Sequence, residues 1–268
     1  MPELPEVETV CRTIAPHVVG RRIVRVDVRE RRLRRPIAPD LGARLAGRTI
    51  RGVRRRAKYV LLDVGDGLDW VVHLGMSGRF CVGDPPPGLP HVHVVAELQG
   101  GVRLYFRDPR RFGLMLLAAD EAELGELGVE PLGPDFTADL LWRLSRRHRR
   151  VTVKSLLMDG RLVVGVGNIY ANEALFHAGI RPSRRSARLS RAEAARLVEA
   201  VRAVLERAIA SRGSSLLDYR DADGNEGEFQ SMLYVYERAG EPCRNCGTTI
   251  RRSVIGGRGT FYCPSCQR

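Results

Sequence analysis

Near its C-terminal end the chain carries Cys243-x2-Cys246, sixteen intervening residues, then Cys263-x2-Cys266, and nothing else in the sequence narrows the possible folds as sharply. Two thiol pairs at this spacing describe a tetrahedral thiolate site for one zinc ion, with a β-hairpin strung between the pairs. Four protein ligands leave no open coordination position, so the metal is structural: it can hold a ribbon together but cannot activate water. The hairpin then offers Arg251, Arg252 and Arg258 to a partner. Cys11 and Cys81 are expected as free, buried thiols in a reducing compartment.

A length of 268 residues suits two domains at ~100–200 residues each. The formal charge of +13 calls for a polyanionic partner, nucleic acid first and a membrane surface second. No apolar run approaches the ~20 residues of a membrane span, and no signal-peptide pattern precedes the Glu-rich start, so a cytoplasmic protein with no membrane association is expected. Among 44 basic residues only Lys58 and Lys154 are lysines. Where arginine is the rule, a surviving lysine marks a position that needs a compact or titratable amine.

Alternating segments at Ile23–Val28, Tyr59–Val64, Trp70–Leu74, His93–Leu98 and Val102–Phe106 read as strands, with Gly65-Asp66-Gly67 and Gly100-Gly101 at hairpin turns. They predict an antiparallel sandwich or flattened barrel, covered by an N-terminal helix in which Val7, Val10, Cys11 and Ile14 repeat at helical spacing. The stretch from Gly128 to Asp135 breaks periodicity. Beyond it Thr137–Arg149, Thr152–Met158, Asn168–Ala178 and Ser190–Ser211 carry helical patterns, the last opening on a Ser190-x-x-Glu193 capping box. The fold class is therefore α+β in two domains. Residues 1–130 form the β-sandwich with its buried helix, 131–136 the linker, 137–225 a helical region, and 226–268 the zinc-ribbon hairpin.

The first residues, Met1-Pro2-Glu3-Leu4-Pro5-Glu6, set chemistry beside structure. Methionine is normally trimmed before a small residue, which leaves the secondary amine of Pro2 as a free nucleophile next to Glu3 and Glu6. An α-amino group titrates near ~8 against ~10.4 for lysine, so far more of it is free base at neutral pH. The partial positive charge of a helix N-terminus further disfavours the ammonium.

Two loop motifs interrupt the strands: His73-Leu74-Gly75-Met76-Ser77-Gly78 and Asp108-Pro109-Arg110-Arg111-Phe112-Gly113. Met76 and Phe112 on exposed turns suit wedging into a base stack, and the paired arginines suit phosphates or a base edge. Gly165-Val166-Gly167-Asn168-Ile169-Tyr170 opens a helix with its amides turned outward, and Lys154 one helix upstream supplies a matching cation, so the pair suggests a clamp on a DNA backbone.

Together Pro2-Glu3-Leu4-Pro5-Glu6, His73-Leu74-Gly75-Met76, Asp108 to Gly113, Gly165 to Tyr170 and the four-cysteine ribbon resemble, in order and along the whole chain, the bacterial formamidopyrimidine-DNA glycosylase family. The resemblance implies a helix-two-turns-helix domain before the ribbon. It also implies a glycosylase and AP lyase that removes oxidised purines, 8-oxoguanine and formamidopyrimidines, from double-stranded DNA, acting as a monomer on lesions preferably opposite cytosine. It makes Pro2 the Schiff-base nucleophile, Glu3 the general acid and Glu6 a supporting carboxylate. Lys58 and Arg258 fall at catalytic-site phosphate contacts, with His73, Asn168 and Tyr170 around the same backbone. Lys154 matches a lysine implicated in reading the oxidised base. Met76, Arg110 and Phe112 match the residues that fill the gap of the extruded nucleotide, Arg110 facing the orphaned cytosine and Arg111 a phosphate. The segment from Leu216 to Met232 aligns with a loop that closes over the base, with Glu228 where an aromatic is common. Endonuclease VIII, the sister group for oxidised pyrimidines, is disfavoured by Leu4 and by the intact Leu-Gly-Met and Pro-Arg-Arg-Phe-Gly motifs. A non-catalytic zinc-ribbon DNA-binding protein is disfavoured by the intact Pro2-Glu3.

Overall fold

The computed structural model describes residues 2–215 and 219–268. These form two compact units: residues up to Gly125 with Ile209–Gln230 in one, and Glu126–Ala208 with Ser231–Arg268 in the other. Met1 and residues 216–218, the start of the expected base-capping loop, lie outside the described residues.

In the first unit α1 (Leu4–Val18) buries Leu4, Val7, Val10, Cys11, Ile14 and Val18, an apolar stripe at intervals of three and four. Pro5 sits in its first turn, where a missing N–H costs nothing. The strands are β1 (Ile23–Val28), β2 (Gly52–Arg56), β3 (Tyr59–Asp63), β4 (Asp69–His73), β5 (Arg79–Val82), β6 (Val92–Leu98), β7 (Arg103–Arg107) and β8 (Leu114–Ala118), with a short α2 (Leu41–Leu45) after β1. They pair antiparallel into two four-stranded sheets, ordered β1-β6-β7-β5 and β2-β3-β4-β8. Ile23, Phe80, Val94, Leu104 and Phe106 of one sheet and Val60, Leu62, Trp70, Val72 and Met115 of the other share a core with the α1 stripe. Each such side chain, fully buried, contributes roughly 1.5–3 kcal/mol. This is the expected helix-covered sandwich.

Three strands escape the alternation pattern. β2 reads Gly-Val-Arg-Arg-Arg, and its guanidiniums take carboxylates instead of apolar neighbours: Arg54 meets Asp69 at 2.7 Å, Arg55 meets Glu8 at 3.1 Å and Arg56 meets Glu121 at 3.0 Å. β8 is a continuous apolar run, and β5 is only four residues long.

The second unit holds α3 (Ala138–Arg147), α4 (Val153–Met158), α5 (Asn168–His177) and most of α6 (Arg191–Ala210). Thr137 and Thr152 cap α3 and α4 through their hydroxyls. The expected capping box closes α6: Glu193 N–H donates to Ser190 Oγ at 3.2 Å and Ser190 N–H to Glu193 Oε2 at 2.8 Å. The ribbon pairs β9 (Arg251–Ile255) with β10 (Arg258–Tyr262) across Gly256-Gly257. Both turn residues have positive φ, 57° and 72°, which only glycine adopts without strain. Among the described residues no helix is long and apolar enough to cross a membrane.

Candidate functional site

Pro2 is buried directly ahead of Glu3, the residue at the N-cap of α1. Glu3 and Glu6 are themselves 3% and 2% exposed. The Glu3 N–H donates to Glu6 Oε2 at 2.7 Å, while Glu6 Oε1 accepts the Ser214 N–H at 2.8 Å. Glu6 therefore fixes the start of α1 to the Gly213–Ser214 segment. Gly213 has φ +80° and lies so close that a Cβ there would stand 2.7 Å from Glu6 Oε1. Tyr219, beyond the undescribed residues, donates from its hydroxyl to the Glu6 carbonyl at 3.2 Å. Burial and the Glu6 charge both push that phenol's pKa up, so it stays a donor.

Lys58 stands in the two-residue turn between β2 and β3, where Ala57 takes a left-handed conformation (φ 54°). Arg55 pins this turn to α1, donating to Ala57 O at 3.0 Å and to Glu8 Oε2 at 3.1 Å. His73, at the end of β4, is buried, and its pKa is pushed down to about 4, first by burial and then by the charges of Arg34 and Lys58. Its Nδ1 accepts the Gly75 N–H at 2.9 Å, so the neutral ring carries its proton on Nε2. Two cations and a neutral N–H donor in one neighbourhood make a binding set for a phosphate diester.

The two loop motifs are knitted by one fully buried carboxylate, Asp108. Its Oδ1 accepts from Ser77 Oγ at 2.7 Å and its Oδ2 from the Gly113 N–H at 2.7 Å, while Ser77 Oγ also accepts the Arg110 N–H at 3.3 Å. The chains approach so closely that a Cβ on Gly75 would fall 2.4 Å from the Phe112 carbonyl carbon. Met76 and Phe112 project from this knot at 39% and 47% exposure, large apolar side chains left outside the core. Arg110 lies over the Phe112 ring, 5.9 Å from its centre. Arg111 turns elsewhere, reaching Glu30 at 3.4 Å.

In the second unit α4 and α5 hold the ribbon by its backbone. Lys154 Nζ donates to Gly259 O at 3.0 Å and to Thr260 Oγ1 at 2.8 Å, and Asn168 Nδ2 donates to the same Gly259 O at 3.0 Å. Asn172 Oδ1 accepts the Phe261 N–H at 2.9 Å. Arg258, exposed at the start of β10, is thereby set by its neighbours. Lys154 and Tyr170, at 0% and 1% exposure, are buried. Glu173 on α5 accepts the N–H groups of Tyr234, Val235 and Tyr236 at 2.9, 3.0 and 2.9 Å and so anchors the approach to the ribbon. The four cysteine sulfurs lie within 4.8 Å of one another. Close pairs at 3.9, 3.5 and 3.4 Å match the ~3.8 Å edge of a tetrahedron with ~2.3 Å zinc–sulfur bonds. The donor set fits one structural zinc.

Sequence reading gives no role of their own to Arg34, Ser77, Asp108, Asn172 and Glu173. Each acts through a partner distant in the chain or turn geometry that no local pattern announces. Asp108 carries the one available signal, an acid heading a Gly-ended loop motif.

Three family models cover nearly the whole chain: the N-terminal domain of formamidopyrimidine-DNA glycosylase over residues 1–115, its H2TH domain over 127–219, and the zinc finger found in FPG and IleRS over 240–268. A formamidopyrimidine-DNA glycosylase of Thioalkalivibrio sulfidiphilus is 53% identical across all of both chains. The MutM (Fpg) protein of Thermus thermophilus superposes with a TM-score of 0.88 at 42% identity, covering 99% of this chain and 98% of that one. A point mutant of Lactococcus lactis FPG, in complex with a Fapy-dG containing DNA, gives 0.91 at 32% identity with both chains fully covered. With that fold, that N-terminus and that cysteine ribbon, the chain belongs to the formamidopyrimidine-DNA glycosylase family.

Proposed function

We propose that the chain is a base-excision DNA glycosylase with AP lyase activity that removes 8-oxoguanine and formamidopyrimidines from duplex DNA. The observation that carries this reading is the buried Pro2-Glu3 pair locked by Glu6 at the head of α1. Once Met1 is removed, the Pro2 amine attacks the deoxyribose C1′ and the damaged base departs with its bonding electrons. The Pro2 nitrogen gives up its proton, Glu3 protonates the sugar ring oxygen, the ring opens, and the freed nitrogen lone pair forms an iminium between Pro2 and C1′. The iminium draws electrons from C2′, so a base can take the C2′ proton. The 3′ phosphate then leaves by β-elimination and the 5′ phosphate by δ-elimination.

Lys58, His73 and Arg34 hold the phosphate beside the extruded nucleotide. Asn168 and Arg258 take backbone on the ribbon side. Lys154 and Tyr170, being buried, act by positioning: Lys154 sets the hairpin that carries Arg258, in place of the base contact that the resemblance implied. Zinc on Cys243, Cys246, Cys263 and Cys266 supplies the ribbon's cross-link and takes no part in the chemistry. Met76 and Phe112 replace lost stacking, Arg110 reads the opposite cytosine, and Arg111 stays near a phosphate. Residues 1–130 carry the chemistry, 131–136 link, and 137–225 with 226–268 grip the duplex. The protein works as a monomer on chromosomal DNA in the cytoplasm.

The test is incision of a duplex with one 8-oxoguanine opposite cytosine. Release of the free base, with phosphate at both ends of a one-nucleotide gap, is the expected result. Tight binding without cutting would leave only a DNA-binding protein.

A further inference from the structure

Away from the ribbon, the second unit carries a cluster of arginines to which the proposed chemistry gives no task. α3 ends on Arg146-Arg147 and is followed by His148-Arg149-Arg150, while Arg181, Arg184, Arg185 and Arg188 precede α6, which opens on Arg191. Their backbones are laced together: Ser186 N–H donates to Val151 O at 3.0 Å and Val153 N–H to Arg184 O at 2.9 Å. Arg146 donates to Leu189 O at 2.9 Å, and Arg185 donates to Arg150 O.

The local carboxylates are already engaged. Asp139 faces Arg143 at 3.2 Å and Arg191 at 3.0 Å, and Glu193 faces Arg184 at 2.6 Å. Among the described residues Arg147, Arg149, Arg150, Arg185 and Arg188 are exposed with no carboxylate partner. Rigid backbone thus holds like charges close together without compensation, which favours any ligand bringing a row of anions. The surface is also joined to the ribbon. Thr152, at the cap of α4, bridges to Arg185, and Ser155 on the same helix lies 3.9 Å from where a Cβ on Gly256 of the hairpin turn would stand.

We propose that this surface takes a second run of DNA phosphates, beyond those gripped at the lesion, and serves as a sequence-independent search surface. The inference rests on the reading of the chain as a duplex-DNA enzyme. Membrane headgroups are a poorer match, because an interfacial site wants apolar anchors beside its cations. Here Val151 is the exposed large aliphatic residue, and Trp142 is covered by the guanidiniums of Arg191 and Arg146, 3.8 and 5.2 Å from its ring centre.

The experiment uses the full zinc-loaded protein and the variant Arg147→Gln/Arg149→Gln/Arg150→Gln/Arg188→Gln, with zinc content and circular dichroism checked. Salt dependence of affinity is measured on undamaged duplexes, one just spanning the lesion grip and one several turns longer. Loss of up to four phosphate contacts should reduce the long-duplex slope of log K against log salt by roughly 3–4, at ~0.9 per contact. The short-duplex slope, and single-turnover excision on a short lesion duplex, should stay at parent values. A parent slope on the long duplex overturns the proposal, as does an equal loss on the short one. Loss of binding to phosphatidylserine vesicles with long-duplex binding intact also overturns it and assigns the surface to membrane. Absence of excision by the parent protein would instead strike the functional reading, so the two failures are distinguishable.

Discussion

His73 shows how burial and one hydrogen bond settle a proton. With Nδ1 accepting from Gly75 and the pKa pushed down to about 4 from 6.5, the ring stays neutral across the working range and keeps its proton on Nε2. Between about 6.5 and about 4 the unfolded chain binds a proton that the folded ring refuses, so this residue's contribution makes stability fall as pH falls through that window. Integrated over it, the loss is about 3 kcal/mol. Melting temperature followed from pH 7 down to pH 4 should fall more steeply for the parent than for His73→Gln; parallel curves would place the low pKa elsewhere. Arg110 allows a second test. An orphaned cytosine offers O2 and N3 acceptors to a forked guanidinium, whereas adenine presents its N6 donor, and contacts of this kind discriminate by roughly 1–3 kcal/mol. In single-turnover excision of 8-oxoguanine opposite each base, Arg110→Ala should lose most of the cytosine-over-adenine preference, while Met76→Ala and Phe112→Ala should slow both by similar factors. Full preference in Arg110→Ala would move opposite-base reading to another residue. Pro2, Met76, Phe112 and the four cysteines stand out as candidates in the sequence because amine chemistry, wedging and metal binding each demand a particular residue type. Asp108, whose work is to join Ser77 to Gly113, does not, because its role exists only once two distant loops meet.

The strands with clean alternation and the helices with apolar stripes were readable, since burial on one face writes its period into the sequence. β2 was not, because ion pairs with Glu8, Asp69 and Glu121 replaced the apolar pattern. The ribbon was readable as a ligand spacing, but its attachment was hidden. A lone lysine looks like a contact for the partner, whereas Lys154 is wholly buried and fastens Gly259 and Thr260. Lys154→Met should therefore retain zinc yet weaken DNA binding about as Arg258→Ala does, each lowering the slope of log K against log salt by about 0.9. The double variant should add little to either single one, because both act on the same phosphate contact. If Lys154→Met instead kept the parent slope and lost only excision of 8-oxoguanine relative to an abasic site, the lysine would be a base reader after all.

At the level of the whole molecule, a charge of +13 draws the chain to DNA of any sequence, so binding alone says little about what it does there. Chemistry distinguishes it, and the chemistry depends on an amine that exists only after Met1 is removed. Glu6, tied to both Glu3 and Ser214, holds that terminus in register, a detail that spacing alone could not give because Ser214 lies some two hundred residues away in sequence. The decisive measurement is borohydride trapping on DNA carrying 8-oxoguanine, followed by peptide mapping of the crosslink. A single adduct on the N-terminal Pro2, absent from protein that retains Met1, is the predicted result. A crosslink on Lys58 or Lys154, or normal cleavage by protein retaining Met1, would contradict the mechanism.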